Sequence, residues 1–136
     1  MFLIDTDVLS ALAKRRRDAR VEAWLAEQRN ADLFVSVVSI GEIERGIALQ
    51  RRSNPEFALA LSTWLDRLLA AYGDRLLPFD LAAARRWGEL SATVGNDSAD
   101  LQIAATALEN GLTVVTRNIS DFAPTGVPVL DPSAHR

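Results

Sequence analysis

Three consecutive apolar residues, Phe2, Leu3 and Ile4, are followed at once by an acid, Asp5. Because no polar residue occupies alternate positions, this run is typical of a strand that is covered on both faces, as in a parallel sheet. Open α/β sheets bind their ligands at the carboxyl ends of such strands. The first residues therefore predict a buried parallel strand, with Asp5 at the edge of the sheet where a functional site would lie.

The rest of the chain alternates between apolar strand patterns and amphipathic helix patterns. Strands are expected over residues 33–37, 76–79, 112–116 and 127–130, the last at a sheet edge because it contains Pro128. Helices are expected over residues 6–13, 18–28, 39–50, 55–72, 81–94 and 99–110, with a loop over residues 117–123. This alternation predicts an α/β fold, a three-layer α/β/α sandwich with a central parallel sheet of four to five strands. We expect a single domain over residues 1–136.

Residue types that are rare or missing exclude several kinds of chemistry. The sequence has no cysteine, which excludes disulfides, thiolate catalysis and cysteine zinc sites. Its single histidine, His135, stands next to the end of the sequence, which disfavours histidine-based catalysis and zinc binding. No basic segment precedes a long apolar stretch, and no apolar run approaches the length of a membrane span. These features predict a soluble cytoplasmic protein.

The formal net charge of −3 hides an uneven choice of basic residues. Lys14 is the only lysine, and arginines cluster at residues 15–17, 51–52 and 85–86. Arginine binds phosphate through a planar, two-pronged set of donors, whereas lysine offers a point charge. Any one of these clusters alone is more simply explained as solvated surface. Around an acidic centre, however, they would suit a metal-dependent enzyme that acts on nucleic acid.

Three acids are candidates for such a centre, and each also has a purely structural explanation. Asp5 precedes a helix pattern and could simply cap that helix. Glu42 ends the sequence Ser-Ile-Gly-Glu at residues 39–42, which fits the capping box S-x-x-E. Asp100 shares a helical face with apolar residues, where a carboxylate needs a cation or hydrogen-bond donors. Asp97 could cap the same helix.

Taken together, Asp5, Glu42 and Asp100 predict a site for a divalent cation. Helix amino termini keep carboxylates ionised, and three converging charges would repel one another unless a cation neutralised them. Oxygen ligands without histidine or cysteine favour magnesium or manganese. A fourth ligand is expected shortly after the strand at residues 112–116, where Asp121 offers a charge and Asn118 a neutral oxygen. Both residue types are also common in ordinary turns.

Four segments resemble, in order and spacing, the four motifs of PIN-domain ribonucleases. They are LIDTDVLS at residues 3–10, SIGE with a later glycine at residues 39–46, DLQIAATA at residues 100–107 and TRNISDF at residues 116–122. Any one of these motifs is weak, but the series is specific and covers nearly the whole chain. It is most similar to the toxins of VapBC-type toxin–antitoxin pairs, including the FitB-like branch.

The resemblance implies a magnesium-dependent endoribonuclease, with manganese as a second possible ion, that cleaves RNA with metal-activated water. It implies that four residues are catalytic and bind the metal: Asp5, Glu42, Asp100 and Asp121. Asn118 is the alternative fourth ligand, and the supporting residues would be Thr6, Asp7 and Thr116. Arg117 is the candidate contact for a substrate phosphate.

The family also implies two protein partners, a second copy of the chain in a homodimer and a cognate antitoxin. The antitoxin would have a DNA-binding part and would insert a segment, often carrying an arginine, into the acidic pocket. The sequence departs from the family at two positions. Asp7 stands where asparagine is usual, and Asn118 stands where some relatives have aspartate. We favour Asp121 over Asn118 as the charged ligand.

Two other functions are compatible with parts of the sequence. The segment at residues 5–8 also fits the D-x-D-x-[TV] opening of haloacid-dehalogenase-like phosphatases, with Asp5 as nucleophile and Asp7 as acid/base. That chemistry needs a lysine late in the chain, and Lys14 comes too early. The chain could instead be a PIN-like module that binds RNA or a partner without cleavage. The presence of all the expected acids disfavours that alternative.

The large aromatic residues are expected to pack rather than to bind bases. Trp24, Trp64 and Trp87 are each at helical spacing from other apolar residues, which indicates core or dimer packing. The helix over residues 55–72 has a broad apolar face, part of which is expected to contact a second protomer or the antitoxin.

Overall fold

The computed structural model describes residues 1–13 and 18–134. Its strands are β1 (Phe2–Ile4), β2 (Leu33–Ser36), β3 (Leu76–Leu77), β4 (Thr113–Val115) and β5 (Val129–Leu130). Its helices are α1 (Thr6–Ala13), α2 (Ala19–Glu27), α3 (Val37–Ser53), α4 (Pro55–Tyr72), α5 (Leu81–Val94), α6 (Ala99–Asn110) and α7 (Ile119–Phe122). Short 3-10 turns lie at Asn30–Asp32, Gly73–Arg75 and Ala123–Thr125. The predictions made for Lys14, for the arginines at 15–17 and for His135 lie outside the described residues.

All five strands pair in parallel, in the order β3-β2-β1-β4-β5. The first strand of the sequence is therefore the central strand, with Phe2 opposite Leu33 on one side and Thr113 on the other. This order confirms the predicted position of β5 at an edge of the sheet. Pro128, on which that prediction was based, immediately precedes the strand. The three-layer α/β/α fold predicted from the sequence is confirmed.

The two faces of the sheet are covered by different sets of helices, because successive strand residues point to opposite sides. Ile4 and Val115 belong to a core cluster with residues of α1, α2, α3 and α4. Leu3 and Val114 belong to a second cluster with residues of α6 and α7, against which α5 packs through Leu90. Both faces are thus apolar, as the continuous run at residues 2–4 predicted.

Several helix boundaries follow from local signals and agree with the predictions. The Asn54 side chain caps α4, with a proline in the first turn, and Asp80 caps α5 by accepting the Ala83 N–H. Gly111 ends α6 with φ +63°, a conformation that suits glycine because it lacks a Cβ. No helix within the described ranges is long and apolar enough to cross a membrane.

The capping box considered as an alternative explanation for residues 39–42 is not formed, and the predicted helix start at Ser39 is wrong. The helix begins two residues earlier, at Val37, and its cap is Ser36, whose side chain accepts the Val38 N–H at 3.0 Å. Ser36 is extended because it still pairs with Leu77 in the sheet, which places the end of β2 directly before the helix. The Ser39 hydroxyl therefore does not cap this helix.

Two further local predictions differ from the structure. The expected loop at residues 117–123 contains the short helix α7, where the Asp121 N–H donates to the Asn118 carbonyl and the Phe122 side chain is fully buried. Burial of that ring fixes the segment as a helical turn. Asp97 does not cap α6, because Ser98 occupies the cap position.

The tryptophans pack as expected. Trp24 is 5% exposed and meets the ring of Phe2 edge-on, with the ring centroids 4.9 Å apart. Trp64 packs against the same core cluster. Trp87 meets Phe79 edge-on at 6.5 Å. These contacts are typical of aromatic side chains in a core rather than of a base-stacking surface.

Candidate active site

Asp5 lies at the carboxyl end of the central strand. Its backbone N–H donates to the Val115 carbonyl at 2.9 Å, which continues the β1–β4 ladder by one residue, and its carbonyl accepts the Leu9 N–H as the first bond of α1. The carboxylate is 2% exposed and accepts the Thr116 hydroxyl at 2.9 Å. Asp5 therefore joins strand and helix through its backbone, while its side chain is held from the neighbouring strand end.

Thr116 connects Asp5 to the segment that carries the possible fourth ligand. Its hydroxyl is fully buried, donates to the Asp5 carboxylate and accepts the Asn118 N–H at 2.9 Å. One buried hydroxyl thus fixes both the orientation of the carboxylate and the start of the turn that leads to α7.

The surroundings of Asp5 oppose its negative charge. The pKa of Asp5 is raised to about 7, chiefly by burial, with the hydrogen bond from Thr116 acting in the lowering direction and the nearby charge of Asp100 in the raising direction. The Thr6 backbone N–H lowers the pKa, and Asp7 raises it. A carboxylate with these neighbours is stabilised in its ionised form by a cation.

Three other acids lie close enough to Asp100 to affect its ionisation. It lies in the first turn of α6, and burial raises its pKa, as do the charges of Asp121, Glu42 and Asp7 in that order. Acids of α1, α3 and α7 therefore lie near enough to Asp100, on α6, for their charges to act on it. Since the charge of Asp100 also raises the pKa of Asp5, the four predicted acids lie in one region of the molecule.

Glu42 is the solvent-exposed acid of the metal-binding set predicted here, and it contacts the start of α1. It projects from α3 and is exposed, yet its Oε1 lies 2.6 Å from the Thr6 hydroxyl at the start of α1. The same hydroxyl lies 2.7 Å from Ser39 Oγ. Thr6 therefore contacts Glu42 directly, a supporting contact between residues 36 positions apart in sequence.

Asp7, whose role the sequence left open, forms an ion pair with Arg117. The arginine Nε donates to one carboxylate oxygen at 3.0 Å and Nη2 donates to the other at 3.1 Å, a bidentate geometry. The two side chains are about one-third exposed. Arg117 is thus engaged by Asp7 in this structure, and its predicted contact with a substrate phosphate stays a prediction.

We expect this ion pair to contribute measurably to stability. In a double-mutant cycle with Asp7→Asn and Arg117→Gln, the coupling free energy should be about 1 kcal/mol, near the upper end for partly exposed pairs because the geometry is bidentate. The cycle also removes the separate effect of Asp7 on the other acids. Urea unfolding of the four proteins measures it, and strictly additive changes would contradict the pairing.

The two candidates for the fourth ligand occupy different surroundings. Asp121 lines a polar cavity of about 450 Å³ next to Asp100, together with residues of the turn that precedes α6. Asn118 is exposed, and its contact within the site is the backbone N–H bonded to Thr116. Asp121 is therefore the one of the two whose charge acts on Asp100.

The donor set suits a hard divalent cation. Within residues 1–13 and 18–134, no three acidic or histidine side chains are placed as closely as in a formed metal site. The available donors are nevertheless carboxylate and hydroxyl oxygens, which magnesium and manganese prefer. Because the pKa values of Asp5 and Asp100 are both raised by burial and by neighbouring acids, the residues fit a cation in chemistry and in charge.

An apolar groove runs from Glu42 along the outer helices. A cavity of about 190 Å³ lies between α1, α3 and α4, lined by apolar side chains that include Ile43, Phe57 and Leu61. Glu42 stands at the edge of this cavity. Leu49 and Leu59, on α3 and α4, are 59% and 70% exposed. The cavity therefore presents apolar surface beside an acidic group, and α3 and α4 each carry a further exposed leucine outside its lining.

Comparisons of the sequence and the fold with known proteins agree with the resemblance to PIN-domain toxins. The family model described as PIN domain matches residues 2–124. The VapC ribonuclease Y4jK of Sinorhizobium fredii is 32% identical over 97% of this chain and 97% of that protein. Toxin FitB of Neisseria gonorrhoeae is 31% identical over 97% of this chain and 98% of that protein. A solved structure of FitAB bound to an IR36 DNA fragment has a TM-score of 0.86 and 30% identity, over 100% of this chain and 98% of that chain.

Proposed function

This chain belongs to the PIN-domain family, and from that premise we propose that it is a metal-dependent endoribonuclease and the toxin of a type II toxin–antitoxin pair. One relative is named a ribonuclease and another a toxin. The observation that carries the proposal is a pair of acids at the carboxyl edge of the sheet, the buried Asp5 and the half-buried Asp100, whose pKa values are both raised by burial and by neighbouring acids. Such a pair has little structural use and is suited to hold a cation.

In this proposal Asp5, Glu42 and Asp100 bind the metal, with Asp121 as the fourth ligand and Asn118 as its alternative. Bound magnesium or manganese would supply a hydroxide-like nucleophile and would stabilise charge that develops on the phosphodiester oxygens. The chain's own residues prepare the site. Thr116 orients the buried carboxylate of Asp5. For Asp100, in the first turn of α6, the helix dipole acts against the burial and neighbouring charges that raise its pKa.

The arginines of the chain differ in how available they are to RNA. Arg86 is paired with Glu109 and Arg117 with Asp7, so each would have to exchange a partner to bind phosphate. Arg51 and Arg52 lie exposed in the last turn of α3, the helix that carries Glu42 near its start. They are the better candidates for phosphates of the strand away from the cleaved bond.

RNA cleavage by the purified chain tests the proposal. Cleavage should require magnesium or manganese, stop in EDTA and return when the ion is added in excess. An RNA that is cleaved equally well in EDTA would contradict the proposed chemistry. RNA binding without turnover would support the alternative of a non-catalytic PIN-like module. Membership of the PIN family does not favour the phosphatase interpretation.

We also propose an antitoxin partner and a homodimer. The groove beside Glu42 offers apolar contacts for a segment of the antitoxin and a carboxylate for an arginine on that segment. FitAB, the assembly that binds the IR36 DNA fragment, supports an antitoxin with a DNA-binding part. The exposed leucines of α3 and α4 provide apolar surface for association.

Sedimentation of the purified chain at micromolar concentration tests the dimer. We expect about twice the monomer mass, and replacement of Leu59 by Glu should shift the population toward monomer if α4 lies in the interface. The substitution Leu81→Glu, at a leucine of α5 that is 75% exposed, is the matched control. Monomer alone for the unchanged chain would contradict the proposed dimer.

A further inference from the structure

Ser39 has a buried hydroxyl with one side-chain partner. It lies in the first turn of α3 and is fully buried, and its Oγ is 2.7 Å from the Thr6 hydroxyl. Ser36, three residues earlier, supplies the cap of the helix, so capping does not explain Ser39. A buried hydroxyl is costly unless it is used in a hydrogen bond, and here that bond leads to the candidate site.

The direction of the hydrogen bonds follows from the number of protons. Thr6 has a single hydroxyl proton and lies within hydrogen-bonding distance of both Ser39 Oγ and Glu42 Oε1. An ionised carboxylate only accepts, so Thr6 donates to Glu42. Ser39 must then donate to Thr6. The three residues form a directed series, Ser39 to Thr6 to Glu42, which we call the hydroxyl chain.

We propose that Ser39 is a positioning residue, which acts through Thr6 to hold the Glu42 carboxylate toward the metal site. An exposed glutamate side chain is otherwise free to adopt many rotamers, and ordering it on metal binding is unfavourable. The hydroxyl chain fixes the Thr6 rotamer, and Thr6 binds only one oxygen of Glu42. The second oxygen is left for a cation. Outer contacts of this kind commonly set metal affinity.

The test is calorimetric titration of Mn²⁺ into the purified full chain in the absence of RNA. Ser39→Ala should weaken Mn²⁺ binding by about 10- to 100-fold, the range typical of outer-shell partners. The matched control is Ser36→Ala, the same change at another fully buried serine of the same helix start. That control should lower the unfolding temperature through loss of the cap but leave Mn²⁺ affinity within about twofold.

Repeating the Ser39→Ala substitution in the Glu42→Gln variant tests whether Ser39 acts through Glu42. In Glu42→Gln, the charge that Ser39 would position is already gone, so adding Ser39→Ala should change Mn²⁺ affinity less than about twofold. An equal loss in both backgrounds would overturn the proposal. If Ser39→Ala fails to fold, Ser39→Cys keeps the shape with a weaker donor and should give a smaller weakening in the same direction.

This inference rests on the proposed function, and the two fail in different ways. If the unchanged chain binds no Mn²⁺, the proposed metal chemistry fails. If it binds Mn²⁺ and Ser39→Ala binds it equally well, only the role of Ser39 is overturned.

Discussion

Replacing Asp100 by asparagine is expected to lower RNA cleavage by about a thousandfold or more, with the fold retained. Asparagine keeps the size of the side chain but removes the charge that a cation would need, and a loss of roughly 4 kcal/mol of transition-state stabilisation corresponds to that factor. Asp5→Asn should have a similar effect. Because the two residues would hold the same ion, the double variant should be scarcely worse than either single variant.

The control for this prediction is Asp74→Asn. Asp74 is exposed and precedes β3, so it lies at the opposite edge of the sheet from the candidate site. Its cleavage rate should remain within about twofold of the unchanged chain, since such surface changes are usually small. Single-turnover cleavage of a defined RNA by the unchanged chain and the four variants measures these effects. Retention of more than a tenth of the activity in Asp5→Asn or Asp100→Asn would exclude them as essential ligands.

The metal-free chain is expected to lose stability as pH rises, and Asp5→Asn should remove much of that loss. The native pKa of Asp5 is raised to about 7, above the unfolded value of 3.8. Between these two values the native state binds more protons than the unfolded state, so the free energy of unfolding falls with pH. The fall amounts to roughly 4 kcal/mol at most and is complete above about pH 7. The raised pKa of Asp100 acts in the same direction.

Urea unfolding in EDTA at pH values from about 4 to 8 measures this dependence. At the high end of the range Asp5→Asn should be more stable than the unchanged chain, because the buried amide carries no charge. Excess Mn²⁺ should restore stability to the unchanged chain and have much less effect on the variant. Parallel pH profiles for the two proteins would show that Asp5 ionises as freely in the native state as in the unfolded state.

Local signals in the sequence were sufficient for much of the fold. The Asn54-Pro55 start and the Gly111 end of helices, and the uninterrupted apolar run of β1, each depend on neighbours a few residues away. The start of α3 could not be fixed this way. Ser36 and Ser39 both suit a helix cap, and the choice between them is made by the pairing of Ser36 with Leu77 of β3.

The site was predictable in its acids but not in the contacts that hold them. The series of motifs pointed to Asp5, Glu42 and Asp100, whose carboxylates do lie in one region. The ion pair of Asp7 with Arg117 joins residues 110 positions apart, and no pattern of spacing reports such a contact. The sequence pattern equally could not reveal the partner of the fully buried Ser39 hydroxyl, since Thr6 is brought near it by tertiary packing.

The central place of β1 in the sheet has a consequence for the order in which the chain can acquire its site. Strand β1 is synthesised before both of its neighbours, and the second of these, β4, begins only at residue 113. Asp5 has neither its ladder bond to Val115 nor its bond from Thr116 until then. A growing chain therefore carries an unassembled acidic site until β4 has been synthesised. The dependence on such distant contacts couples completion of the site to completion of the fold.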